Sequence, residues 1–163
     1  MSDIFKIKKN DSIEVRISYL PLDEGEIQII RDDDTALEEK YKGKIQKAVA
    51  QFRVPNWKEF NGYISGCLRL DEDTGLQFLD SLKLRDKKLR SLLKTLKDGD
   101  GNDVPLNSDF FDSIIPEFGV ALVVGFDNAM VDQRIQRLKE KGLIDTDFVN
   151  SEIVAEIPED SNS

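Results

Sequence analysis

The chain contains no histidine, a single cysteine (Cys67) and a single tryptophan (Trp57). Without His, neither a Ser-His-Asp or Cys-His catalytic centre nor a His-ligated metal site can be built within this chain. One Cys excludes an internal disulfide and a Cys-rich zinc site, and it fits a reducing cytosol. No run of about eighteen apolar residues occurs, so no membrane span is expected, and residues 1–30 lack the apolar stretch of a signal peptide. There is no P-loop and no glycine-rich dinucleotide fingerprint. With none of these present, the expectation is a non-catalytic protein without a cofactor.

What remains is 163 residues that are 39% hydrophobic, enough for one ordinary domain with little apolar surplus. The net charge of −9 argues against a nucleic-acid binder, because phosphate contacts need clustered Lys and Arg. The charge is uneven, however. Residues 83–97 carry Lys83, Arg85, Lys87, Lys88, Arg90, Lys94 and Lys97 against only Asp86, a local +6 that leaves −15 for the rest of the chain.

Alternation of Ile13, Val15 and Ile17 with Glu14, Arg16 and Ser18 predicts a strand, and Glu26-Ile27-Gln28-Ile29 alternates again after a turn at Pro21–Gly25. Ile4, Phe5 and Ile7 suit a third short strand. From residue 35 the spacing reads as helical. Thr35 and Glu38 have the form of a capping box, and Leu37, Tyr41, Ile45, Ala48, Val49 and Phe52 fall on one stripe. Asn56 and Glu59 cap a second helix, with Trp57, Phe60, Tyr63 and Ile64 on its apolar side; Cys67 reads as a buried hydrophobe. Asp71–Gly75 make a loop or start a helix. Leu82, Leu89, Leu92, Leu93 and Leu96 form the stripe of the basic helix. A short helix ends before Pro116, and Phe118 to Phe126 begin a buried helix that runs on to a stop at Gly142. The predicted fold class is α+β: a β-rich segment over 1–32 packed on a mainly helical domain over 33–154, followed by a disordered acidic tail over 155–163.

Two patterns are candidate sites. Asp98, Asp100 and Asn102, with Asp109 at the twelfth position, offer oxygen ligands at the spacing of a calcium-binding helix–loop–helix. Asp103 stands where that loop needs Gly, Pro105 follows, and Asp109 replaces the bidentate Glu, so a solvated linker between two helices is preferred over a calcium site. The other candidate is a partner-binding face made by Arg85, Lys87, Lys88, Arg90 and Lys94 on the outer arc of the basic helix. A nucleic-acid-associated regulator using the same helix is the less favoured alternative.

The stretches Leu84–Leu93, Asp98–Asn107 and Ile114–Glu117 together resemble small tailed-bacteriophage proteins. In those, a short basic helix of the "KLR-LL" kind precedes an acidic "D-DG-xVPL" loop and a proline-led helix. The resemblance covers roughly residues 57–126. It implies a tail assembly or minor virion protein, chaperone-like or structural, that binds other virion proteins in the host cytoplasm. It also implies that the acidic loop positions two helices.

Overall fold

A computed structural model describes residues 11–31 and 33–143. The residues read as a first strand at Ile4–Ile7 and the acidic tail over 155–163 lie outside that range. The chain divides into two compact units, residues 1–127 and 128–163.

The first unit is α+β, as expected. Strands β1 (Ser12–Pro21), β2 (Ile27–Ile29), β3 (Gln46–Arg53) and β6 (Leu93–Lys97) form an antiparallel sheet in the order β2-β1-β3-β6. Strands β4 (Leu68–Leu70) and β5 (Gln77–Leu79) form a separate hairpin. The helices are α1 (Thr35–Lys40), α2 (Trp57–Gly66), α3 (Ser81–Leu92), α4 (Ser108–Ser113) and α5 (Pro116–Glu140).

The centre of the sheet is the β1–β3 pair, in register from Ser12↔Arg53 to Tyr19↔Gln46. Alternation gives each strand one apolar face. Ile13, Val15 and Ile17 of β1 and Ala48, Ala50 and Phe52 of β3 are buried on the same side. The opposite side is wet, and there Glu14 accepts from Arg16 (2.9 Å) and from Gln51 (3.1 Å). The start of α5 covers the apolar face with Phe118, Leu122, Val123 and Phe126, and the Phe126 ring meets Phe52 with centroids 4.9 Å apart. Each such side chain, once fully buried, stabilises by about 1.5–3 kcal/mol. Tyr19 and Leu20 of β1, Ile30 just after β2, Leu89 and Leu92 of α3, Leu93 and Leu96 of β6, and Tyr63 and Cys67 are buried as well.

Four expectations are corrected. The helical stripe drawn from Leu37 to Phe52 is two elements: α1 stops at Lys40, and Gln46–Arg53 is a strand. Ala48 and Phe52 fit a helical spacing and a two-residue alternation equally well. Eight cross-strand pairs with β1 favour the strand. The basic helix is likewise cut at Leu92, and Leu93–Lys97 joins the sheet edge. No Gly or Pro marks that boundary; pairing with β3 overrides a sequence of good helix formers. Trp57 is 78% exposed and Leu82 72%, so neither lies on a buried stripe. Finally, the cap of α1 is Asp34, whose carboxylate accepts from Leu37 N at 3.3 Å, one position before Thr35. The Asn56 cap of α2 is as read, accepting from Glu59 N at 2.9 Å.

In the second unit, residues 128–140 continue as helix and bury no side chain. Gly142, at φ 66°, closes the helix. Its N–H reaches Lys139 O (2.9 Å) and that of Leu143 reaches Leu138 O (3.0 Å), the paired bonds of a Schellman stop.

Gly125 marks where α5 comes closest to β1. A Cβ added there would lie 2.5 Å from Val15 Cγ1, inside van der Waals contact. At Gly119 the nearest atom would be 3.9 Å away. Gly125→Ala is therefore expected to destabilise by about 1–3 kcal/mol through overpacking, and Gly119→Ala to stabilise by up to about 1 kcal/mol through helix propensity. Urea unfolding of the two variants checks the contrast, and equal effects would contradict this packing.

Candidate interaction surface

Helix α3 starts from Asp80, whose carboxylate accepts from Lys83 N (3.1 Å) and pairs with Arg69 (2.7 Å). Leu89 and Leu92 face inward, so the basic residues lie toward solvent. The structure does not hold the five predicted partner-binding residues on one free face. Lys88 is half-buried; it pairs with Asp127 at 3.1 Å and lies over the Phe60 ring. Arg90 bonds Asp86 (2.9 Å) and Asp112 (2.8 Å) and covers Phe111. Lys94 is on β6, not the helix, at a bulge: Leu93 pairs with Phe52 and Thr95 with Gln51, leaving Lys94 as the extra residue. Arg85 and Lys87 remain exposed, with no ion pair among the described residues, and Lys83 joins them. The free basic arc is thus Lys83, Arg85 and Lys87.

The 98–109 segment is not flanked by two helices. It leaves β6 and folds back along it: Lys97 bridges Asp103, and Val104 N donates to Leu96 O at 2.8 Å. Asp98 organises the turn. Its Oδ1 accepts from the backbone N–H of Asp100 and of Asn102, both at 2.9 Å, and Tyr19 OH accepts from Gly99 N at 2.8 Å. The N–H of Asn102, then that of Asp100, hold the Asp98 carboxyl below its ordinary range. Asp109 lies farther on, in the first turn of α4, which Asn107 caps. Among the described residues no group of three or more His, Cys, Asp or Glu side chains is arranged to hold a metal ion. Asp98→Ala, which strips the acceptor from two N–H groups, is expected to lower the melting temperature, with millimolar calcium leaving the wild-type melt unmoved. A calcium-dependent rise would restore the calcium reading, since a ligand bound only to the folded state stabilises it.

A second polar cluster was not visible from sequence. Arg53, at the end of β3, donates to both carboxylate oxygens of Glu59 on α2 and to Ser91 O on α3 (3.3 Å). Tyr63 OH also donates to Glu59. The cluster ties one strand to two helices. The Arg53 hydrogen bonds, followed by the Tyr63 bond, outweigh burial and hold the Glu59 carboxyl low; burial pushes the Tyr63 hydroxyl up. A carboxyl held low in the folded state gives stability that is present above its unfolded value, about pH 4.3. That stability is lost as pH falls through the folded value. Glu59→Gln should cost about 1–2 kcal/mol at neutral pH and flatten the acid limb of the stability curve. An unchanged acid limb would rule the cluster out as its source.

An apolar cleft of about 200 Å³ opens between Tyr19, Ile27, Leu96, Val104, Phe110 and Phe118. Its lining is almost wholly apolar, so it offers little to orient a polar ligand.

The most prominent surface feature is the β4–β5 hairpin, also missed from sequence. Leu68, Leu70, Leu76, Phe78 and Leu79 are all exposed, Leu76 at 68%. Alternation in Leu68-Arg69-Leu70, the turn residues Asp71–Gly75 and then Gln77-Phe78-Leu79 are the signal that would have found it. The base is anchored by Asp80 N donating to O of the buried Cys67 (2.8 Å), and the turn by Asp71 N to Leu76 O (2.8 Å). No known protein family, curated protein or solved structure matches the chain. Among the described residues, no helix is long and apolar enough to cross a membrane.

Proposed function

We propose that this chain is a non-catalytic assembly protein that binds other virion proteins during construction of a phage tail, in the host cytoplasm. The observation that carries the binding role is the hairpin: five exposed large apolar residues on one small element. Soluble chains rarely leave such residues clustered in water unless a partner covers them. Lys83, Arg85 and Lys87 stand on the helix that the hairpin runs into, as the polar surround such a patch uses to steer its partner. The tail assignment follows from the resemblance over residues 57–126, whose quoted stretches begin with that same basic helix.

Apolar anchors carry most of an interface's energy, so Leu70→Asp with Phe78→Asp should weaken binding to the tail partner by about 2 kcal/mol or more per residue. Arg85→Glu with Lys87→Glu should mainly slow association and reduce its dependence on salt. The measurement is co-purification and surface-based kinetics with the products of the genes neighbouring this chain's own, with circular dichroism confirming that each variant folds. If wild type and the Asp variant bind those proteins equally, or neither binds, the reading fails.

A further inference from the structure

The hairpin lies bare on both sides. The register Leu68↔Leu79 and Leu70↔Gln77 puts Leu68, Leu70 and Leu79 on one face; Arg69↔Phe78 puts Phe78 on the other, and Leu76, two residues earlier, continues that face. Beyond the partner strand, neither β4 nor β5 packs extensively on another element. A lone two-stranded hairpin is marginal in water, so its order calls for a cover.

Apart from the Arg69–Asp80 pair, the charges at its two ends have no ion pair among the described residues, and they are opposite. At the tip, Asp71, Glu72 and Asp73 have no ion pair among the described residues; Asp71 only accepts from the N–H groups of Asp73 and Thr74. At the base, the Asp80 cap leads directly into α3, where Lys83, Arg85 and Lys87 are equally unpaired. The hairpin and the start of α3 together therefore carry an acidic end, an apolar middle and a basic end. Such a pattern is complementary to itself when reversed.

We propose that a second copy of this chain covers the hairpin, in a two-fold dimer whose hairpins lie antiparallel. A two-fold axis across the middle of the hairpin brings each acidic tip to the other copy's base. Glu72 and Asp73 then meet Lys83 and Lys87 twice over, and the face of Leu68, Leu70 and Leu79 is buried between the two hairpins, the same patch serving both subunits as a two-fold interface requires. The net −9 does not prevent this, because charges more than about 8 Å apart are screened at physiological salt. The proposal rests on the hairpin being a docking surface and names its resting occupant. A tail partner would compete with the second copy, so the dimer is a storage form that keeps the apolar surface covered until assembly.

Sedimentation of the purified chain over a wide micromolar range tests it. The wild type should be a concentration-dependent dimer, and Leu70→Asp with Phe78→Asp a folded monomer. Glu72→Lys with Asp73→Lys makes both ends basic, and Lys83→Glu with Lys87→Glu makes both acidic. Each pair should weaken self-association about tenfold or more, and an equimolar mixture of the two should restore a mixed dimer near wild-type strength. A monomeric wild type, or a dimer that charge reversal neither weakens nor rescues by mixing, overturns the proposal. A monomer that still binds tail proteins through Leu70 and Phe78 overturns the second copy alone. A dimer with the expected charge rescue and no tail partner sinks only the tail reading.

Discussion

The register of β1 against β3 is the constraint on which the rest of the first unit depends. A slip of one residue would turn Ile13, Val15 and Ile17 to water and bring Glu14 and Arg16 inward. The register also sets small residues beside large ones: Ala48 and Ala50 sit next to Phe52, so the face is uneven and accepts a helix carrying Phe126 near one strand and Gly125 near the other. α5 is seated by that relief. β6 then closes the edge with its bulge, and the Arg53–Glu59–Tyr63 cluster locks α2 and the end of α3 to the strand that carries the register.

The basic segment shows why local charge arithmetic is a poor guide to a binding face. Its +6 is real, yet Lys88 and Arg90 are answered by Asp127, Asp86 and Asp112 and hold their charged ends over the rings of Phe60 and Phe111. For these two, the charge is taken up by contacts inside the chain. What stays free is a shorter arc, displaced toward the N-terminus of α3 and so toward the hairpin.

The fold class was legible because β1 alternates cleanly and because α5 has a dense apolar start and a glycine stop. Two boundaries were not. Residues 45–52 satisfy both periods, and only the existence of a ten-residue partner strand favours one of them. Leu93–Lys97 contains nothing that stops a helix, so its loss to the sheet is a tertiary effect. The acidic loop was half legible. Its Asp and Gly are turn formers as supposed, but the element before it is a strand, and Asp98 satisfies the turn's own N–H groups. The hairpin escaped notice because its leucines are exposed, whereas periodicity arguments look for leucines that are hidden. The Arg53 cluster joins residues of three elements, and nothing in their sequence spacing brings those together.

Trp57 has an experimental consequence. It is the sole indole in the chain, and it stands in water at the first position of α2. Tryptophan fluorescence will therefore be nearly blind to the collapse of the core, since the indole is solvated before and after unfolding. The same placement makes it a built-in optical reporter for any surface that comes to rest against the N-terminus of α2, readable without a label.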